Sequence, residues 1–416
     1  MISIMTSQIA LMNQLGIAVA SDTLTSRHES SGDTKTYPAS SKLYDIGTVH
    51  KVVIAHCGTT KLASSHYRML LNEWSLTLQQ GLEHVEDYAR SFIAWVEANA
   101  ESLFFDQTEI VSYSLAREFG KVFRALASEL ALLVKGFVDT QGKGDLAAFE
   151  AQLMKLIQGI TDERYKVDPY EDLTKASTKA HLKSLKVVPI EIFQGVLLEE
   201  GQSIAFSKDF IKFVDESSAE FLMRFVDASE GASLNFVGFG TAERLGHCVE
   251  VSIDSYYGSK LRCKVAVSGS DNPGWYPSWN VFAQGDAILK FLRGLDGGLQ
   301  DQIARSAYGA IAKEITDPKK VDAVMDETMG SIGTFLQENY VNPMMLTIGA
   351  LGVGGLTRLA DMLVRMEALR SASLEGEATV GGYVESLSIT RDAGVVWHRR
   401  MSVDQHSLEN STHVFA

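Results

Sequence analysis

Segments with strand character sit at both ends of this 416-residue chain, and long helical stretches fill most of the distance between them. A sheet buries one face only by packing that face on another layer, so such an order points to helices covering the outer faces of two sheets. The terminal strands then have to pair with each other, which makes one discontinuous domain with a helical insertion. The first strands read clearly: apolar residues run from Thr6 to Met12 and from Gly16 to Asp22, separated by the turn-like Asn13-Gln14-Leu15. Tyr37–Ile46 and Val52–Cys57 repeat the pattern around Gly47-Thr48, giving four antiparallel strands that end at Gly58.

A helix is expected over Thr60–Leu78. From 83 to about 230 apolar residues recur at three- and four-residue intervals, as in Val111–Phe137 and Phe206–Phe225, and the section reads as helical. The polar stretch Asp162–Pro189 is expected to be a surface linker within it. Strands return at Ser233–Phe239, Val249–Ser255 and Leu261–Val267. Helices are expected over Phe282–Leu295, Leu299–Glu314, Lys320–Glu338 and Leu356–Leu374, then strands over Thr379–Thr390 and Val395–Arg399 about the turn Asp392-Ala393-Gly394. The domain reading is therefore 1–82 with 231–416 as core and 83–230 as helical insertion. No repeat of fixed period appears.

Composition narrows the function classes. A hydrophobic fraction of 45% and a charged fraction of 22% are those of an ordinary folded protein. A formal charge of −14 argues against nucleic acid and anionic membrane as partners, because phosphate binding needs a basic surface. The basic run Lys175, Lys179, Lys183 and Lys186 aligns on one helical face and reads as a solvated face, with a docking surface as the lesser reading. Three cysteines, Cys57, Cys248 and Cys263, cannot all pair and lack metal-ligand spacing, so a reducing, cytoplasmic setting and no metal are expected. The start MISIMTSQ lacks the basic and apolar regions of a signal peptide. The longest apolar stretch, Met344–Leu356, falls short of the roughly 20 residues that span a membrane.

The first segment resembles a β-type proteasome subunit, and more specifically the bacterial proteasome-subunit-like proteins of the N-terminal nucleophile hydrolase superfamily. Thr6 and Asp22 stand sixteen residues apart, as do the nucleophile and aspartate of those subunits, and LGIAVASD is similar to their strand ending in Ala-Ala-Asp. Lys42 lies in SSKLYDIG, similar to the segment carrying the family's catalytic lysine. Gly58 in IAHCGTTKLAS falls at the family's strand-to-helix corner. NFVGFG from Asn235 resembles the strand before the second hairpin, and Glu377-Ala378-Thr379-Val380-Gly381-Gly382 resembles an Asp-x-x-Ser-Gly-Gly segment, with Glu377 and Val380 as replacements. The resemblance covers roughly 6–80, 233–296 and 355–400. Departures are Leu24 in place of an arginine and no Gly-Ser-Gly-Ser near Ala283-Gln284-Gly285.

The resemblance implies an α+β fold, a four-layer αββα sandwich of two antiparallel sheets, with the helical insertion as an addition. It implies a threonine-type amide hydrolase, with a peptide or protein substrate and no cofactor. Catalysis would rest on Thr6 as nucleophile, Asp22 and Lys42 as its charged support, Gly58 as oxyanion donor and Glu377 orienting the Thr6 amine. An N-terminal threonine carries its own base, since an α-amine has an unperturbed pKa of roughly 7.7–8.0. Thr6 must then be first, either by translation from Met5 and loss of that methionine or by autocatalytic cleavage of MISIM. By resemblance a homo-oligomer, ring-shaped as in that family, and partner docking through the insertion are also implied. The alternatives are an inactive scaffold or sensor that retains residues 1–5, and a hydrolase of non-peptide amides.

Other constellations are weaker. Gly349, Gly352, Gly354 and Gly355 lack phosphate-loop spacing and read as a flexible or close-packed approach to a helix, and Ser268-Gly269-Ser270 reads as a turn. The ten histidines, among them His50, His56 and His66, form no ligand pattern, and no G-x-S-x-G elbow exists. Trp275, Tyr276 and Trp279 read as a packed loop.

Overall fold

The computed structural model describes residues 6–28, 34–37, 41–47, 49–63, 65–103, 107–139, 145–164, 173–198, 203–224, 231–257, 260–268, 277–295, 297–315, 317–374 and 378–401. β1 (Ser7–Asn13) and β2 (Gly16–Asp22) form a hairpin in which Asn13 closes the turn, its Oδ1 accepting from the N–H of Leu15 at 2.9 Å and of Gly16 at 3.3 Å. β3 (Thr25–His28) and β4 (Thr34–Tyr37) make a separate ribbon, and β5 (Leu43–Asp45) pairs with β6 (Lys51–Gly58). The strand expected over Tyr37–Ile46 is thus represented by two separate pairings, Tyr37 with β3 and Leu43–Asp45 with β6, and residues 38–40 lie outside the described residues. A two-residue ribbon, β7 (Lys61–Leu62) and β8 (Ser65–His66), turns at Ala63, whose φ of +53° excludes α-helix. The helix expected from Thr60 therefore begins at Tyr67, as α1 (Tyr67–Ser75).

The middle section is helical: α2 (Val85–Ala98), α3 (Ala100–Leu103), α4 (Gln107–Ala125), α5 (Ala127–Asp139), α6 (Leu146–Arg164), α7 (Lys175–Ser184), α8 (Pro189–Leu197) and α9 (Lys208–Met223). The linker expected over Asp162–Pro189 contains α7, which Thr174 and Ser177 start with a capping box. Of the basic run, Lys175 pairs with Glu220 at 3.2 Å and Lys179 with Glu216 at 3.5 Å, both on α9, while Lys183 and Lys186 are exposed.

β9 (Ala232–Phe239), β10 (His247–Tyr257), β11 (Lys260–Ser268) and β12 (Ser278–Ala283) follow, then α10 (Asp286–Arg293), α11 (Gly297–Glu314), α12 (Pro318–Leu336), a π-helical turn at Gln337–Val341, α13 (Asn342–Ala350), α14 (Val353–Ser373), β13 (Val384–Thr390) and β14 (Gly394–Arg399). Helix was expected from Phe282, but Ser278–Ala283 is a strand because it fills the open edge of β1, with Ala10 opposite Asn280. Trp279 accordingly lies in a strand, while Trp275 and Tyr276 lie outside the described residues. The last hairpin starts at Val384 rather than Thr379, because Gly381 and Gly382 turn the backbone at φ +159° and +72°. The glycine-rich run joins α13 to α14, where Gly355 packs on Leu351.

One sheet has the order β12-β1-β2-β13-β14 and the other β11-β10-β9-β6-β5, all antiparallel. Alternation along the strands gives each sheet two apolar faces. Ala10, Met12, Ile17 and Val19 of the first pack against Val53, Ala55, Val237 and Phe239 of the second. Ile9, Leu11, Ala18 and Ala20 pack outward on α10, α13 and α14, and Ile54, Leu234, Phe236 and Val251 pack outward on α1 and α2. The early strand β2 pairs with the late strand β13, Ala20 opposite Ser386.

Helices α4 to α9 have a core of their own, rich in phenylalanines in ring contact: Phe119–Phe193 and Phe193–Phe206 meet edge to face and Phe206–Phe210 stack. α2 belongs instead to the layer on the second sheet, through Val85, Tyr88, Phe92 and Val96. The join between helices and sheet is ionic: from α4, Arg117 Nη2 lies 3.0 Å and Lys121 Nζ 3.7 Å from Asp254 Oδ1 of β10, and Glu118 Oε1 lies 3.9 Å from Arg262 Nη2 of β11, all deeply buried. The three cysteines are free thiols. Among the described residues no helix is long and apolar enough to cross a membrane.

Candidate active site

Thr6 precedes β1 and Asp22 ends β2, while Lys42 precedes β5 and Gly58 ends β6, so the antiparallel hairpins of both sheets deliver these residues to one corner. Asp22 is fully buried. Its Oδ1 accepts from Lys42 Nζ at 2.8 Å and from the Ser7 N–H at 3.0 Å, and its Oδ2 accepts from the Gly381 N–H at 3.1 Å. Burial raises the Asp22 carboxyl above its ordinary range, while Lys42 and the two backbone donors oppose that rise. The Lys42 ammonium also donates to the Leu24 carbonyl at 2.7 Å, which aims it.

Thr6 is fully buried, and its carbonyl accepts from the Gln284 N–H at 2.8 Å, just beyond β12. Among the described residues Thr6 Oγ1 has no hydrogen-bond partner, and the same holds for Ser7 Oγ, Gln8 Oε1 and Thr23 Oγ1. Buried polar atoms are ordinarily satisfied, so four such atoms within residues 6–8 and 23 leave this corner with unused hydrogen-bonding capacity. Gly58 has φ +87°, and a Cβ there would meet the Gly231 carbonyl oxygen at 2.2 Å, so glycine alone fits.

Thr6, Lys42 and Gly58 line one cleft together with Thr25, Tyr44, His56, Cys57, Thr60 and His66, with space for about one water molecule. Sequence reasoning overlooked these neighbours, although Tyr44 stands two residues after Lys42 and His56 two before Gly58. Burial drives the His56 imidazole down to about 4, so it is neutral near pH 7, and its Nε2–H donates to the Thr59 carbonyl at 2.9 Å. Burial pushes the Cys57 thiol up to about 11, which keeps it protonated and unreactive. Glu377 lies outside the described residues. A different carboxylate, the fully buried Glu385, accepts from Ser41 Oγ at 2.6 Å and from the Met401 N–H at 3.1 Å, and so steadies the segment entering Lys42. Among the described residues no group of three or more His, Cys, Asp or Glu side chains is disposed to hold a metal ion.

No protein-family model matches the chain, and no curated protein matches it. What the corner offers chemically is a hydroxyl without a competing partner, an ammonium fixed by a carboxylate, and a glycine peptide held in a conformation closed to other residues. A fixed positive charge lowers the cost of an alkoxide and of a neutral amine nearby. These are the needs of acyl transfer by a hydroxyl nucleophile.

Proposed function

We propose that the chain is a threonine-type N-terminal nucleophile amide hydrolase, a proteasome-like peptidase built on a four-layer αββα core. The observation that carries this reading is the buried Lys42–Asp22 pair at 2.8 Å, in the same corner as Thr6. The Thr6 amine takes the Oγ1 proton, and Oγ1 attacks the amide carbonyl. The developing oxyanion accepts from the Gly58 N–H. Collapse breaks the C–N bond, the departing amine leaves with the proton, and the acyl group stays on Thr6 as an ester. Water then cleaves that ester and restores the hydroxyl. Assembly into a homo-oligomer, partner docking through the helical insertion and a reducing, cytoplasmic setting belong to the same proposal.

The test is intact mass of protein expressed from its natural upstream region, before and after a peptide β-lactone, with Thr6→Ala as control. A chain starting at Thr6 that gains one acyl mass, with none gained by the variant, is the expected result. A chain that retains residues 1–5 and takes no label removes the hydrolase.

A further inference from the structure

The nucleophile and the oxyanion donor of the proposed site stand on different sheets. Thr6 leads into β1 and Gly58 ends β6, and these two strands share no ladder. Within one sheet, backbone hydrogen bonds fix register residue by residue. Between stacked sheets only side-chain packing does so, and apolar contacts such as those of Ala10 and Val53 are non-directional. A reaction that needs donor and nucleophile placed within about half an ångström therefore calls for a directional link across the seam.

Lys42–Asp22 at 2.8 Å and Ser41–Glu385 at 2.6 Å cross the seam from the segment before β5, and one side chain ties β1 to β6 themselves. Gln8, fully buried in β1, donates from Nε2 to the His56 carbonyl of β6 at 3.0 Å and to Ser21 Oγ of β2 at 3.1 Å. Gln8 is two residues from Thr6, and His56 is two residues from Gly58. The His56 N–H in turn donates to the Lys42 carbonyl at 2.9 Å, so the main chain of one residue is tied to the strand of Thr6 on one side and to the segment of Lys42 on the other. The bond is buried and made by an amide whose Oε1 has no partner among the described residues, an arrangement that stability alone does not favour.

We infer that Gln8 is a positioning residue that sets the Gly58 N–H against the carbonyl attacked by Thr6; this rests on the hydrolase reading above. Loss of the link should hurt reactions that pass through an oxyanion and spare those that do not. A peptide β-lactone acylates through a tetrahedral oxyanion, whereas a peptide vinyl sulfone takes Thr6 Oγ1 by conjugate addition at carbon. In Gln8→Met, close to glutamine in size, we expect β-lactone acylation to slow about 10- to 100-fold relative to wild type and vinyl sulfone labelling to stay within about threefold. Should Gln8→Met not fold, Gln8→Asn, one methylene short, reads the same ratio. Equal loss with both probes, or no loss with either, overturns the inference and leaves the hydrolase standing. Wild-type protein labelled by neither probe removes the hydrolase and this inference together.

Discussion

At the scale of single residues, His56 carries more of the corner than its place in the sequence suggests. Its main chain bonds Gln8 and Lys42, and its ring closes the turn over Gly58 through Thr59. The ring titrates near 4 when folded and near 6.5 when unfolded, so between those values the unfolded chain binds the extra proton. Stability from this residue is complete above about pH 6.5 and is lost as pH falls toward 4, by about 3 kcal/mol in all. Urea unfolding across that range should show the fall, and His56→Gln should flatten it; an unchanged slope would assign the effect to other groups. Lys42, Asp22 and Gly58 were legible because spacing and flanking residues single them out. His56 was not, since a buried histidine looks like any of the ten until its partners are known.

Among the elements, α4 holds the helical section to the sheet through Arg117, Glu118 and Lys121. Burial pushes the Asp254 carboxyl up, yet Arg262, Arg117 and Lys121 together hold it below its ordinary range. Removing one member leaves a charge in the interior, so Arg117→Met should cost about 3–5 kcal/mol in urea unfolding. Amide exchange should rise first in α4, and a loss below about 1 kcal/mol would mean that the joint is held by its apolar neighbours. The periodicity of the middle section announced helices, but not this joint, because charged residues at helical spacing look the same whether buried or solvated. β12 shows the complementary failure. Ser278–Ala283 is short, and its state is decided by the vacant edge of β1, which lies far away in sequence.

For the molecule as a whole, α11 and α12 stand apart from the core. α11 has no buried side chain and α12 has only Val321, while Phe335 and Tyr340 are exposed. The pair also begins and ends in one place, since Gly294, at φ +80°, lies against the Tyr340 ring. Replacing residues 297–339 with a short Gly/Ser linker should therefore shift the melting temperature by less than about 5 °C. A larger fall would show that the pair supports the core. The pairing of the early strand β2 with the late strand β13 was legible from strand character at both ends of the sequence, since each sheet must find partners to bury its face. That closure also sets a clock on synthesis. Asp22 acquires the Gly381 N–H from 359 residues downstream. At about 5–20 residues per second, β2 waits on the order of 20–70 s for β13 to emerge from the ribosome. Throughout that interval its edge is open to other chains and the Asp22 carboxylate lacks one of its donors. A nascent chain thus carries Thr6 early and its finished corner last, so the acyl transfer proposed for Thr6 would be deferred until translation is nearly complete.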